Sequence, residues 1–393
     1  MVCPPSVSSV ARASGLSAPA RPESHISERI NKLRASMSQA KIPALLVTNY
    51  QDVSYLTGFE GDDSYLVVTE DGALLISDSR YAEQIAREVP WIKTRIRTKG
   101  MLFETARVLA RLKVHKIGVQ DEALTLAQLS GLKEQLATAW GGGGKKSRKI
   151  KFVLAHEMVV ALRHIKDETE IRIIEESVGI AEQSLDTVRE LIQPGMTENE
   201  IASLLVHEMR KRGASGPSFD TIVAAGPNGS LPHYRPGETK MPAKGSLLID
   251  WGARYKGYCS DLTRVWFIGS IPPPLGEVYR VVLEAQQAAI AAIAPGQTGR
   301  AIDKIARDII TKAGYGAQFG HGLGHGFGRD IHEAIALSKL SKTILQAGMV
   351  VTVEPGIYLP GVGGVRIEDD VVVTPNGCRM LSQLPRDLDW ARR

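Results

Sequence analysis

The stretch Leu247–Arg264 reads LLIDWGARYKGYCSDLTR, and it predicts the fold around it. Its two apolar segments are typical of β-strands, and the polar residues between them are typical of a turn. With Tyr255 and Lys256 as a two-residue loop, Asp250 faces Asp261 across the hairpin. Two like charges opposed on one face of a sheet repel each other. We therefore expect a cation between them, and hard divalent ions prefer carboxylate oxygens.

A second hairpin of the same kind follows later in the chain. Residues 350–373 read VVTVEPGIYLPGVGGVRIEDDVVV, again a strand, a Gly-rich turn and a strand. A turn centred on Gly361 places Glu354 opposite Glu368. Between the two hairpins, the segment 320–333, GHGLGHGFGRDIHE, contains three of the nine histidines, namely His321, His325 and His332. Two Asp, two Glu and one His form a ligand set for a pair of metal ions that share carboxylates.

Length and composition restrict the class of protein. A chain of 393 residues is long for one core and predicts two domains. A hydrophobic fraction of 43% and a charged fraction of 23% are typical of a soluble globular protein. No apolar run of about 18 residues occurs, so no membrane span is expected. The net charge of +5 is spread along the chain without a basic stripe, which argues against nucleic-acid binding.

The chain divides into three predicted segments. Residues 1–25, rich in Ser, Ala and Pro, are expected to be a disordered tail, although their composition also resembles that of a transit peptide. In 26–157, strands alternate with helices, which predicts an α/β domain. Gly141–Gly144 and the basic residues after it favour a flexible loop over a phosphate-binding loop. Residues 158–393 form the second domain, which opens with a long amphipathic helix.

The second domain contains a weak internal repeat. Pro194–Thr197 (PGMT) is echoed by Pro295–Thr298 (PGQT), and each motif joins two predicted helices. Gly213 and Gly314 end the second helix of each pair. An acidic hairpin follows in both halves. We therefore expect a duplicated helix–helix–hairpin unit whose two acidic hairpins meet in the middle.

These residues resemble those of the pita-bread metallopeptidases, which include methionine aminopeptidase, aminopeptidase P (Xaa-Pro aminopeptidase) and prolidase. The match covers the predicted second domain, and the first resembles the creatinase-type N-terminal domain of the proline-specific members. The resemblance implies an α/β creatinase-like domain followed by an α+β pita-bread domain with pseudo-twofold duplication. The family's metal ligands fall on Asp250 in LLIDWG, Asp261 in GYCSDLTR, His325 in HGLGHGFG, Glu354 in TVEPGIY and Glu368 in RIEDD.

The resemblance also assigns residues outside the metal set. Arg366, two residues before the last glutamate, resembles an arginine of the proline-specific branch, and we expect it to pair with a carboxylate such as Asp369. Catalytic roles are implied for His233, His332, Glu354 and Arg366. Substrate-binding roles are implied for His233, His321 and His332.

The implied reaction is attack on the scissile carbonyl by hydroxide formed between two divalent ions, with Mn²⁺ favoured over Co²⁺ or Zn²⁺. The expected substrate is a peptide with proline in second position, cleaved as by aminopeptidase P, with prolidase as the alternative. The resemblance further implies a homodimer or larger homo-oligomer. The three well-separated cysteines favour a reducing compartment, and we expect a cytoplasmic protein.

Two further hypotheses come from different classes. A non-peptidase amidohydrolase on the same fold is one, as in creatinase, but creatinase-like members lose the ligand acids. A pseudo-enzyme acting as a binding module is the other, and such relatives lack several ligands. All five ligands are present in this chain, which favours the metallopeptidase over both.

Overall fold

The computed structural model of the protein describes residues 23–139 and 150–392. The predicted tail lies outside the described residues except for its last three, and the predicted loop at Gly141–Gly144 lies outside them entirely. The chain divides into two compact units, with the boundary between Met158 and Val159.

The first unit contains one six-stranded mixed sheet, in the order β4-β3-β2-β1-β5-β6. Its strands are β1 Ala44–Val47, β2 Tyr65–Thr69, β3 Ala73–Ser77, β4 Lys93–Ile96, β5 Lys116–Val119 and β6 Lys151–Leu154. Its helices are α1 Ser24–Gln39, α2 Tyr50–Thr57, α3 Ala82–Glu88, α4 Met101–Arg111 and α5 Leu126–Ala139. Apolar residues of α4 and α5 share a core with those of β1, β2 and β5. This is the α/β domain that the alternating pattern predicts.

The second unit carries the acidic hairpins. Its helices are α6 Val160–Arg163, α7 Glu168–Leu191, α8 Glu198–Lys211, α9 Pro273–Ala292, α10 Gly299–Lys312 and α11 Leu388–Ala391. Its first strands are β7 Gly216–Pro217, β8 Ile222–Ala225, β9 Gly245–Trp251, β10 Ala253–Tyr255, β11 Tyr258–Cys259 and β12 Leu262–Ile268. The later strands are β13 Gly324–Gly326, β14 Glu333–Leu337, β15 Val350–Val353, β16 Gly356–Leu359, β17 Gly363–Arg366, β18 Asp369–Thr374 and β19 Gly377–Met380.

These strands form two principal sheets, β12-β9-β8 and β14-β13-β15-β18-β19, together with the smaller sheets β11-β10-β7 and β16-β17. An isolated bridge between Thr263 and Glu368 links the chain of β12 to the segment that precedes β18. The two acidic hairpins are thereby joined at the centre of the unit.

The internal repeat is visible in the backbone hydrogen bonds. The Gly195 N–H donates to the Met241 carbonyl at 2.9 Å, and the Gly296 N–H donates to the Leu345 carbonyl at the same distance. Both glycines have a positive φ, 91° and 87°, in the turn between two helices. Thr197 and Thr298 each form an isolated bridge and each cap the helix that follows. The two halves therefore share the same turn, the same helix cap and the same isolated β-bridge. The pita-bread fold is duplicated as predicted.

The first long helix of this unit shows why the domain folds around its sheets. In α7, the buried stripe includes Ile171, Ile174, Val178, Leu185 and Val188, at the spacing that the sequence predicts. Its N-terminus is fixed by a capping box in which the Asp167 and Glu170 side chains accept from each other's backbone N–H groups. Across the described residues, the helices are too short or too polar to cross a membrane.

Candidate metal centre

The first acidic hairpin differs from its predicted register by two residues. Tyr255 pairs with Tyr258, so the turn residues are Lys256 and Gly257, with φ of 46° and 79°. Glycine tolerates such a φ, and this position for it explains why the turn lies one residue later than expected. Asp250 consequently pairs with Thr263, and the prediction that it lies directly opposite Asp261 is wrong.

A shift of two residues still leaves the acids on one face. Side chains alternate along a strand with a period of two, so the residue two before Thr263 shares its face. Asp261 therefore lies diagonally across from Asp250 and points to the same side. Both side chains are buried, at 8% exposure for Asp250 and 5% for Asp261.

The second acidic hairpin has the predicted register. Val353 pairs with Asp369 in one ladder and Gly356 pairs with Arg366 in the next, which places Glu354 opposite Glu368 between them. The turn is centred on Gly361, as the sequence predicts. Glu368 also reaches the first hairpin, because its Oε2 accepts a 2.5 Å hydrogen bond from the Thr263 hydroxyl.

The histidine of the predicted ligand set approaches these acids from a neighbouring strand. The His325 Nε2 atom lies 3.5 Å from Asp261 Oδ2 and 3.6 Å from Glu354 Oε1. Its Nδ1 lies 3.1 Å from the Gly326 carbonyl, which assigns the ring proton to Nδ1 and leaves the Nε2 lone pair facing the acids. Gly324 allows this approach, since a Cβ there would lie 2.1 Å from the Thr352 carbonyl oxygen.

The four carboxylates of the acid cluster are buried close together, so a cation between them would stabilise their charged forms. Burial raises the pKa of Asp250, Asp261, Glu354 and Glu368, and the charge of Asp250 adds to the effect at Asp261. Asp250 Oδ1 and Glu368 Oε1 have no hydrogen-bond partner although both atoms are buried. Ligand atoms of Asp261, His325 and Glu368 all lie within 4.8 Å of one another. Unpaired carboxylate oxygens that converge with an imidazole nitrogen fit divalent metal ions.

One arginine, Arg366, lies within the acid cluster and pairs with only one of its four carboxylates. Arg366 donates to Asp250 Oδ2 at 2.5 Å, to the Tyr358 hydroxyl at 2.8 Å and to the Thr263 hydroxyl at 3.0 Å. The prediction that it pairs with an acid is confirmed, but the proposed partner Asp369 is wrong. Strand pairing directs Arg366 and Asp369 to different neighbours, and only one oxygen of Asp250 is engaged.

Asp369 belongs to a separate buried network. Its Oδ1 accepts from Arg264 at 2.8 Å and from Ser382 at 2.7 Å, and its Oδ2 accepts from Gln286 at 2.6 Å. Arg264 also donates to the Glu368 carbonyl at 2.6 Å. This network therefore holds the backbone of the last acidic residue from the side away from the cluster.

All the predicted site residues line one cavity of about 430 Å³. These are the four acids together with His325, Arg366, His233, His321 and His332. His233 and His332 are exposed on the wall. Partial burial of the imidazole lowers the pKa of His332, and its ring lies 4.4 Å from that of His325 between centroids.

His321 differs from the other two histidines because its nitrogens are both occupied. Its Nδ1 lies 2.7 Å from the Gly322 carbonyl and its Nε2 lies 2.9 Å from the Tyr358 hydroxyl. Burial lowers its pKa to about 4, so the ring is neutral and its Nδ1–H donates to the carbonyl. Tyr358 in turn accepts from Arg366. His321 therefore contacts the cavity with its ring and has no free nitrogen for a ligand.

Sequence reasoning missed several residues of this cavity. Phe219, Pro232 and Ile331 supply an apolar wall, and Asp220 and Arg235 supply two further charges. Thr263 does not line the cavity, but its hydroxyl contacts Glu368 and Arg366, and it carried a usable signal because it shares the face of Asp261 at a spacing of two. The others come from loops, where no periodicity identifies the side that faces a cavity.

Two duplicated halves that meet at an acid-lined cavity define the class: a pita-bread fold with a carboxylate cluster suited to divalent metal ions. Comparison with known families gives the same class. Residues 172–375 match metallopeptidase family M24, and residues 29–165 match the creatinase/prolidase N-terminal domain. The chain belongs to metallopeptidase family M24, in its proline-specific branch, and is a metallopeptidase.

Individual relatives are similar over most of the chain. An Xaa-Pro dipeptidase of Bacillus anthracis is 38% identical, with a TM-score of 0.86 over 92% of this chain and 99% of that one. An X-Pro aminopeptidase of Thermotoga maritima is 37% identical, with a TM-score of 0.81 over 91% and 98%. An Xaa-Pro dipeptidase of Pyrococcus horikoshii is 34% identical over 92% of this chain and 99% of its own length.

Proposed function

We propose that this protein hydrolyses the peptide bond that precedes proline when proline is the second residue of a peptide with a free N-terminus. The observation that carries the proposal is one cavity lined by the five expected ligands, three histidines and an apolar wall. Relatives named as Xaa-Pro dipeptidase and X-Pro aminopeptidase support the same bond. The sequence favours aminopeptidase P-like action on longer peptides, with dipeptidase action as the alternative.

Two divalent ions are part of the proposal. The residues that would hold them are Asp250, Asp261, His325, Glu354 and Glu368. Four carboxylates among five ligands favour Mn²⁺, with Co²⁺ or Zn²⁺ next. Ions bound there would acidify a water molecule and polarise the scissile carbonyl.

The side chains around this centre have separate tasks. Glu354, which is partly exposed to the cavity, takes the proton of the attacking water and returns it to the leaving nitrogen. His233 and His332 donate hydrogen bonds to the carbonyl oxygen as negative charge develops on it. Arg366 fixes Asp250 through their 2.5 Å hydrogen bond and does not need to contact the substrate.

Proline suits this cavity for two reasons. The bond before proline is a tertiary amide without an N–H, so a site that acts on the carbonyl loses nothing there. The wall of Phe219, Pro232 and Ile331 is an apolar surface against which a pyrrolidine ring can pack. The free amine of the first residue would lie near Asp250, which accounts for action at the N-terminus.

The proposal includes a cytoplasmic location and a homodimer or larger homo-oligomer. The resemblance to proline-specific peptidases supports the assembly, and the sparse cysteines support the compartment. Light scattering coupled to size-exclusion chromatography measures the assembly directly. A monomer at micromolar concentration would contradict that part of the proposal.

The test of the reaction uses the full chain, stripped of metal with a chelator and then supplied with Mn²⁺. We expect it to release the first residue from Gly-Pro or from longer Xaa-Pro peptides, and to leave Gly-Ala intact. Equal rates on Gly-Ala would contradict proline specificity. No release from any proline peptide, with metal bound, would contradict the proposed function and favour an amidohydrolase or a non-catalytic binding module.

A further inference from the structure

A second cavity lies in the first unit, at the end of the sheet where β1, β5 and β6 begin and β2 ends. Its volume of about 630 Å³ exceeds that of the cavity of the acid cluster and is typical of small-molecule binding sites. Its walls come from the last turn of α1, from the segment between α1 and β1, and from the ends of these four neighbouring strands. The cavity therefore shares no residue with the proposed reaction site.

The lining of this second cavity is strongly basic. It contains four cationic side chains, Arg34, Lys41, Lys116 and Lys151, and one carboxylate, that of Glu70. Among the described residues, none of these five side chains forms an ion pair. Cationic groups around one cavity repel each other, and a single acid cannot offset all of them. An anion bound in the cavity would relieve this repulsion.

Arg34 is oriented by the sheet and lies beside an apolar surface. Its Nε donates to the Thr69 carbonyl at the end of β2, at 3.0 Å. This hydrogen bond uses one edge of the guanidinium and leaves its two terminal nitrogens to face other partners. Met37 and Ile42, at 2% and 6% exposure, and the adjacent Pro43 supply the apolar part of the lining. The cavity thus combines an oriented charged group with a surface that favours a partly apolar ligand.

Lys41 occupies a backbone position that usually belongs to glycine. It follows α1 with a φ of 54°, and its own N–H and that of the next residue donate back to carbonyls in the last turn of the helix. This is the Schellman motif, whose left-handed residue is most often glycine. The same chain has glycine there after α8 and α10, where Gly213 and Gly314 have φ of 98° and 91° with the same pair of hydrogen bonds. A lysine at this position costs conformational energy, so its retention in the cavity wall indicates a role for its side chain.

We propose that this cavity binds a small organic phosphate with at least two negative charges, such as a nucleoside diphosphate. Lysine ammonium groups bind phosphate as compact point charges, and a guanidinium matches two phosphate oxygens at once. The apolar lining would contact the part of the ligand that carries no phosphate. A nucleic acid suits the cavity less well, because the basic residues surround one cavity and the chain has no basic stripe.

Isothermal titration calorimetry of the full chain tests the site with three probes, which are ADP, inorganic pyrophosphate and adenosine. A chelator is present throughout, because Mn²⁺ could link a phosphate to the acid cluster. We expect ADP to bind about tenfold more tightly than pyrophosphate, which lacks the apolar part. Adenosine lacks the charge and should not bind measurably. Higher ionic strength should weaken the binding of ADP.

Three variants locate the ADP site. Lys116→Gln combined with Lys151→Gln should weaken ADP binding about tenfold. The matched control combines Lys113→Gln with Lys133→Gln, which removes two exposed charges of the same unit outside the cavity and should leave the Kd unchanged. Lys41→Gly separates binding from folding. It should weaken ADP binding about threefold while Tm stays the same or rises, because glycine adopts the left-handed φ more readily.

Several outcomes would overturn the inference. One is the absence of ADP binding at millimolar concentration, and another is equal weakening of ADP binding in the cavity variant and in its control. Equal affinity for ADP and pyrophosphate, or for ADP and adenosine, would contradict an organic phosphate as the ligand. A Lys41→Gly variant that binds ADP like the wild type would show that the lysine side chain is not part of the site. None of these results bears on the proposed hydrolysis of proline peptides, which is measured with Mn²⁺ and without ADP.

Discussion

Glu368 and Asp369 are adjacent buried acids, and we expect their amide variants to change stability in opposite directions in the metal-free protein. Each is only 1% exposed. Glu368 Oε2 accepts from Thr263, but its Oε1 has no partner, and burial raises its pKa well above the ordinary value. Asp369 has three close donors, one of which is the guanidinium of Arg264. The two residues differ in partners rather than in burial.

The hydrogen-bond and ion-pair partners of each acid determine the expected change in the free energy of unfolding. A buried polar group without a partner costs about 1–3 kcal/mol, and Glu368→Gln removes the ionisable group while keeping an acceptor for Thr263. A gain of about 1–2 kcal/mol in the free energy of unfolding corresponds to roughly 2–8 °C in Tm for a domain of this size. Asp369→Asn leaves Arg264 buried without its counter-charge, which costs about 3–5 kcal/mol, or roughly 6–20 °C.

The assay is differential scanning calorimetry at pH 7 in the presence of a chelator. The advantage of Glu368→Gln should shrink as the pH falls toward 4. The unfolded state loses the Glu368 proton at its ordinary pKa while the folded state retains it, so the penalty in the wild type grows as the pH rises. When Mn²⁺ replaces the chelator, the wild type should become more stable than Glu368→Gln. A ligand at a hundred times its Kd adds about 2.7 kcal/mol to the free energy of unfolding of the wild type.

The refuting result is specific. If Glu368→Gln lowers Tm by as much as Asp369→Asn, then the carboxylate of Glu368 is satisfied in the metal-free protein. The acid cluster would then contain no unsatisfied carboxylate at Glu368 that requires a cation. If Mn²⁺ raises the Tm of both the wild type and Glu368→Gln equally, Glu368 is not a ligand.

Three other predictions concern the same cavity. Asp261→Ala should abolish bound metal, measured by plasma mass spectrometry, and activity, while circular dichroism stays unchanged; activity at the wild-type level would contradict its role as a ligand. Gly324→Ala should destabilise the protein by about 1–3 kcal/mol, because the new Cβ would lie 2.1 Å from the Thr352 carbonyl, whereas Gly320→Ala meets no atom within 4 Å and should be neutral in thermal unfolding. Tyr358→Phe removes the hydroxyl shared by an arginine and a histidine of the site, and should lower kcat about tenfold at unchanged metal content; an unchanged kcat would show that this link does not matter.

The second hairpin shows how much of the site local sequence determines. Gly361 has a φ of 77° at the centre of a Gly-rich turn, and the pairing on both sides follows from that position. In the first hairpin, both Tyr255–Lys256 and Lys256–Gly257 could form the turn. The second choice is adopted because glycine takes the left-handed position more readily than tyrosine. The preference is local, and weighing it would have given the correct register.

The partners of the buried charges could not be predicted in this way. Arg264 and Asp369 lie 105 residues apart, and their contact depends on how β12 and β18 meet. The partners of Glu198 likewise depend on the tertiary fold, since its carboxylate accepts from the Ala225 and Gly237 N–H groups, 27 and 39 residues further along the chain. A sequence shows that an arginine near the acids needs a carboxylate, but it does not show which carboxylate the sheets will bring to it.

The two-residue error in the first hairpin explains why the predicted acids still converge. A sheet repeats its facing every second residue, so a register error of two moves Asp261 along the strand without turning it away from Asp250. An error of one would have put Asp261 on the opposite face and left Asp250 without an acidic neighbour. What the sequence must specify for such a centre is therefore the parity of the spacing between ligands. The distances between the side chains depend on how the two hairpins meet, which includes the bridge between Thr263 and Glu368.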